Sequence, residues 1–170
     1  MSSESGVYEY FKDCYGYMSK EEVDKISFDG VYPRKVSEEE QRDISYLVDE
    51  RFIAFFTDLD SVFEEQYEEG IMYEFRMKVI KAYKATYGFD THKMVTEPRW
   101  VEMRNKYGDA ADKMLQHLNE LSNVEIIAFL EHCIWRDERY CTGAYTDWAK
   151  AGVIGTVLLR LRELPLVLNV

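Results

Sequence analysis

Apolar side chains recur at steps of three and four from Ile44 to Tyr67, through Leu47, Val48, Phe52, Phe55, Phe56, Leu59, Val62 and Phe63. That period places them along one helical face; a strand cannot use it, because strand side chains alternate at every second residue. The chain holds no alternating run long enough to build a sheet. Comparable stripes follow. Met72, Phe75, Val79, Tyr83 and Tyr87 mark a helix with Gly88 in the left-handed stop position. Ala111, Met114, Leu115, Leu118 and Leu121 mark another. Ile126, Ile127, Leu130, Cys133 and Ile134 form one side of an amphipathic helix, and Ile154, Val157, Leu158, Leu161 and Leu164 form a last stripe that Pro165 stops. Shorter faces lie at Val7, Phe11, Cys14 and Met18 and at Trp100, Met103 and Tyr107. The expectation is all-α: a single compact domain of about seven or eight helices, with antiparallel neighbours joined by short loops. It takes in residues 1–170, with 1–36 as a peripheral segment and 37–164 as the core.

Capping chemistry sets the boundaries. Ser19-Lys20-Glu21-Glu22 and Ser37-Glu38-Glu39-Glu40 read as capping boxes, in which the Ser hydroxyl takes the third amide and the Glu reaches back. Ser122-Asn123 caps a later helix, and Glu97-Pro98 places Pro at a helix start. Thr57-Asp58 or Asp60-Ser61 can restart a helix, so the 44–67 stripe is one helix or two. Phe28–Val36 is a loop containing Asp29-Gly30 and Pro33. Gly152 and Gly155 allow close backbone approach in the last helix.

Charge is unevenly placed. Residues 1–70 carry 19 acids and 7 bases, whereas residues 71–170 carry 13 acids and 14 bases, so the net of −11 belongs to the N-terminal part. Such a surface repels phosphate at long range, which argues against direct nucleic-acid binding. It can attract a basic protein, and at the least it keeps the chain in solution. Glu64, Glu65, Glu68 and Glu69 crowd the end of the 44–67 stripe, where the helix dipole disfavours acids. Lys78, Lys81 and Lys84 on the next helix are expected to neutralise them across the Gly70 turn.

Several chemistries find no motif. The three Cys (Cys14, Cys133, Cys141) match no paired-Cys metal spacing, and the three His form no HExxH pattern. Neither a phosphate-binding Gly loop nor a GxSxG elbow occurs. No cofactor and no metal are expected. Arg99, Arg104 and Lys106 with Trp100 and Tyr107 form a basic aromatic patch that stacked pairs on a helix surface explain. The N-terminus does not resemble a signal peptide, and the longest apolar run, Ala151–Leu159, is too short to span a membrane. A cytoplasmic chain with reduced thiols and no membrane contact is expected.

The segment Asn123–Leu164 stands apart, because its two apolar stripes flank Trp135-Arg136-Asp137-Glu138-Arg139-Tyr140-Cys141-Thr142-Gly143. If helix persists to Arg139, Arg136 and Arg139 point to one side, Tyr140 and Cys141 turn inward and Gly143 permits the turn. Three roles are open. The Arg forks can clamp the connector by bonding helix-end carbonyls or a carboxylate of another helix. Arg136, Arg139 and Tyr140 can line an anion or phosphate pocket. Cys141 can be a reactive thiolate, its acidity raised by the two Arg.

The run Arg136-x-x-Arg139-Tyr140-Cys141-x-Gly143, with an Ala-rich turn and a helix ending in Leu and Arg after it, resembles a bacterial family of unknown function. That family carries Arg, an acid, then Arg-Phe-Cys-Glu-Gly between two helices, and its Phe-Asp…Trp segment is similar to Phe89-Asp90 and Trp100 here. Tyr140 stands for its Phe and Thr142 for its Glu, which removes an acid from that position. The likeness spans roughly residues 71–164; it implies a small helical domain and supplies no activity.

Taken together, Arg136, Asp137, Arg139, Tyr140, Cys141 and Gly143 form the candidate binding loop, with no catalytic residue assigned. The leading expectation is a non-enzymatic module that meets another protein through its acidic, Tyr-rich N-terminal face; an inhibitor that mimics nucleic acid is one form of it. The alternative is a small-molecule or phosphate-binding enzyme with its pocket at residues 135–148. A homo-oligomer through Tyr8, Tyr10, Tyr15 and Tyr17 is a further option.

Overall fold

A computed structural model of the chain describes residues 36–65, 69–87, 111–139 and 141–165, with all their side chains except those of 111, 112 and 139. The expected helices before residue 36, the Gly88 stop, the Trp100–Tyr107 face and its basic patch, and Tyr140 lie outside them. The described residues form α-helices and 3-10 turns and no strand, and the helices pack on one another in a compact all-α fold.

The clearest sequence stripe becomes three helices. Helix α1 (Glu38–Ser45) opens on the Ser37 capping box: Glu40 N–H donates to Ser37 Oγ at 3.1 Å, and Ser37 N–H donates to Glu40 Oε1 at 3.1 Å. A 3-10 turn (Tyr46–Val48) leads to α2 (Glu50–Thr57), capped by the Asp49 carboxylate on Arg51 N–H at 2.9 Å. Asp58 restarts the chain as α3 (Leu59–Glu64). The restart at Thr57-Asp58 is the expected one. The break at Asp49 is not visible in the stripe, because a 3-10 turn keeps nearly the same three-residue spacing. It lets the stripe bend around the core, where Ile44, Leu47, Phe52, Phe56 and Val62 are all buried.

Helix α4 (Gly70–Tyr87) runs along α1 and along α6 (Asn123–Arg139). It is antiparallel to α6. Near its start Arg76 meets Asp137 and Glu138, and at its end the Tyr87 hydroxyl donates to the Val124 carbonyl. The expected lysine neutralisation of the Glu64–Glu69 cluster does not form at Lys78: its ammonium lies 4.2 Å from the centre of the Tyr46 ring. Eight residues of helix carry Lys78 about 12 Å from Gly70, out of reach of that turn. Glu65 instead accepts from Met72 N–H at 3.4 Å, in the first turn of α4, where an acid suits the dipole.

A short helix α5 (Ala111–Gln116) and a 3-10 turn (Leu118–Glu120) bury Met114 and Leu121 and lead to α6. Ser122 and Glu125 form a second reciprocal box, with bonds of 3.2 and 3.0 Å. Asn123 Nδ2 donates to the Pro165 carbonyl at 2.7 Å, so the start of α6 is tied to the chain beyond the last helix. The expected face of α6 is buried, but so are Ala128, Phe129, Glu131, His132 and Trp135. The helix is therefore enclosed on all sides from Ile126 to Trp135 rather than amphipathic, because α4, α7 (Ala144–Lys150) and α8 (Val153–Arg162) all lie against it.

Aromatic rings fill the junction of α2, α4 and α7. Phe56 lies 4.8 Å from Phe75 and 6.4 Å from Tyr145, and Phe52 meets Phe75 edge-on at 5.2 Å. Full burial of such side chains is worth about 1.5–3 kcal/mol each. Helix α8 crosses α2 at Gly155, where an added Cβ would sit 2.9 Å from the Phe56 carbonyl carbon. Gly155 thus serves close approach as expected. Gly152 does not: it has open space and a φ of +79°, so its part is the left-handed turn into α8.

Candidate functional site

The connector is shorter than its sequence suggests. Helix α6 runs on to Arg139 and α7 begins at Ala144, so most of residues 135–148 is helical. The turn between them is held by Cys141 N–H on the Arg136 carbonyl at 3.0 Å and by Ala144 N–H on the Cys141 carbonyl at 2.9 Å. Gly143 takes a φ of +97°, a left-handed conformation costing a side-chain-bearing residue about 1–2 kcal/mol.

Within this turn the acids are the gripped groups, and the arginine that grips them comes from α4. Arg76 sits in the middle of the buried face of α4, with a side chain 9% exposed. Its Nη2 donates to Asp137 Oδ2, and its Nη1 donates to Glu138 Oε1 at 2.8 Å. The other oxygen of Asp137 accepts from Gly143 N–H at 2.9 Å and Tyr145 N–H at 3.1 Å. These are amides at the start of α7, which has no local side-chain cap, so Asp137 caps α7 from the preceding helix. The Tyr145 ring lies under the guanidinium, 5.4 Å from its carbon, and its hydroxyl donates to the Met72 carbonyl at 2.8 Å. One buried Arg, two carboxylates and one Tyr therefore join α4, α6 and α7 in a single hydrogen-bonded unit.

The candidate residues divide accordingly. Asp137 and Gly143 belong to that unit. Arg136 and Cys141 are exposed, so Cys141 does not turn inward as expected. Once the turn starts after Arg139, residue 141 falls on its outer side. The Arg139 side chain and Tyr140 lie outside the described residues. The expected clamp of loop arginines on another helix has its polarity reversed at Asp137 and Glu138, which receive an arginine rather than flank one. Arg76 and Tyr145 were missed. Arg76 had a signal: it stands inside the stripe of Met72, Val79 and Tyr83, where a charge must be paired to be buried. Tyr145 had none, because its ring and hydroxyl partners, Arg76 and the Met72 carbonyl, lie far away in sequence.

Other titratable groups nearby are structural. Burial pushes the Cys133 thiol well above its usual range; Asp137 adds to this, while Arg76 and Arg136 oppose it. A thiol so placed stays protonated and unreactive. His132 is buried and stacks on Trp135, with ring centres 6.2 Å apart. His117 pairs with Glu120 near the surface. Among the described residues no cluster of His, Cys, Asp or Glu could hold a metal ion, and no helix is long and apolar enough to cross a membrane. The unit around Arg76 can fix the α6–α7 turn, and its guanidinium is already engaged by two carboxylates. No family model, no curated protein and no solved structure matches the chain.

Proposed function

We propose that the protein is a non-enzymatic interaction module that meets a basic protein partner through its acidic N-terminal half. The supporting observation is where the acids lie and what they do. Among residues 71–170, Asp137 and Glu138 hold Arg76, Glu74 pairs with Arg51 and Glu163 pairs with Arg160, while among residues 36–70 Glu50 pairs with Arg162 and Glu40, Asp49 and Glu65 hold backbone amides. In the described part of the N-terminal half, Glu38, Glu39, Asp58, Asp60 and Glu64 face solvent, and none of them enters an ion pair. Such a surface supplies long-range attraction for a cationic partner and contributes little to the fold. The alternative of a phosphate pocket at residues 135–148 rests on Arg136, which is exposed, and on Arg139 and Tyr140, whose side chains lie outside the described residues.

The test is capture from the cells that make the protein. Wild type is compared with a variant carrying Glu38→Gln, Glu39→Gln, Asp58→Asn, Asp60→Asn and Glu64→Gln. The expected result is a partner that elutes with salt and is lost in the variant. A partner retained equally by both would refute the reading, as would the absence of any partner.

A further inference from the structure

We propose that α3 is the docking element and that its occupant is a basic amphipathic helix of the partner; the inference rests on the reading above and names the place and the chemistry. Helix α3 is held from below: Val62 is buried, and the helix leans on α2 and α7. Beside Val62 the helix carries Leu59 and Phe63, one helical turn apart, 40% and 58% exposed. Residues at that spacing form a ridge of the kind that inserts between the apolar side chains of another helix.

The charge around this ridge selects the occupant. The described residues between 58 and 69 include five acids and no base. Asp58, Asp60, Glu64 and Glu69 are exposed and enter no ion pair among the described residues. Lys78, expected to neutralise this cluster, is turned to Tyr46 instead. Among the described residues Lys150 lies beside the ridge, its ammonium 5.4 Å from the Phe63 ring centre, so one cation already sits against this ring. An apolar ridge beside four exposed carboxylates that enter no ion pair among the described residues is complementary to a helix that alternates apolar and cationic faces. An acidic partner would be repelled there, and a nucleic acid more strongly. The exposed Tyr73 and Met77 on α4 lack such an acidic setting, because Lys81 and Lys84 continue their face.

The probe is a fluorescent peptide of about 18 residues, five helical turns of Leu and Lys in amphipathic order, titrated into the full chain and read by anisotropy. A matched peptide with Glu in place of Lys is the control. Wild type should bind the Lys peptide alone. Leu59→Ala with Phe63→Ala should weaken binding by about tenfold or more, as loss of a central anchor does. Asp60→Asn with Glu64→Gln should weaken it and flatten its salt dependence. Tyr73→Ala should leave it within about twofold. All these side chains face solvent, and circular dichroism confirms that each variant is folded. Failure of wild type to bind, or equal binding by the Leu59/Phe63 variant, overturns the inference. If the Leu59/Phe63 variant binds normally while Glu38→Gln with Glu39→Gln weakens binding, the acidic half still serves as the contact and α3 does not.

Discussion

Replacing Asp137 tests the interior of the fold most severely. Its carboxylate is 13% exposed and accepts from Arg76, Gly143 N–H and Tyr145 N–H. A hydrogen bond to a charged group is worth about 1.5–3 kcal/mol, but three such values do not add. Arg76 keeps Glu138, and the Gly143 amide can take water once the turn loosens. The closer guide is removal of one partner from a buried pair, which costs about 3–5 kcal/mol, and this is the expectation for Asp137→Ala. Asp137→Asn keeps an acceptor for the two amides and loses the charge facing Arg76, so about 2 kcal/mol is expected. Glu138→Gln should cost about 1 kcal/mol or less, because Glu138 is 31% exposed and water replaces much of the contact. Urea unfolding measures all three: the midpoint should fall in that order at an unchanged slope. A loss below about 1 kcal/mol for Asp137→Ala, or a Glu138→Gln loss exceeding that of Asp137→Asn, would refute the claim that Asp137 is the shared hub.

Four further outcomes follow from particular contacts. Gly155→Ala should destabilise by about 1–3 kcal/mol, because its methyl group meets the Phe56 backbone, which cannot swing aside; thermal unfolding reports this. Tyr145→Phe should cost about 1–2 kcal/mol through the lost bond to the Met72 carbonyl while leaving the aromatic junction filled, which aromatic circular dichroism checks. Ser122→Ala should cost about 1 kcal/mol, since it removes half of the box that starts α6, and urea unfolding measures it. In a Cys14→Ser background, a thiol reagent at neutral pH should modify exposed Cys141 quickly and buried Cys133 after denaturation; mass spectrometry separates the two sites.

Helices were legible in the sequence wherever one face carries the pattern. The stripe of α4 lies on buried residues, as does that of α8 as far as Leu161; the Ser37 capping box forms as expected, and Ser122 caps α6 with a reciprocal bond from Glu125 added. Breaks were less visible. The 3-10 turn at Tyr46–Val48 preserves the apolar spacing, so Asp49 looked like one more polar position within a continuous helix. Helix α7 merged into the connector for a different reason: its cap is Asp137, eight residues before Tyr145, and the residue at its own N-cap position is Gly143, which has no side chain to announce its start. The candidate site was half legible. The sequence drew attention to Arg136 and Arg139 as the gripping groups, with Asp137 and Glu138 only standing between them. Arg76 lies about 60 residues away and reaches them because α4 and α6 run antiparallel. An isolated charge inside an apolar stripe is the signal that would have found it.

The complete enclosure of α6 has a kinetic consequence. A helix with a wet face can exchange its amide protons through local fraying, one turn at a time. From Ile126 to Trp135 this helix offers no such route, since α4, α7 and α8 must all leave before its backbone meets water. Its amides should therefore exchange at a rate set by unfolding of the whole described core. They would form a built-in clock, against which the opening of every more peripheral segment can be timed.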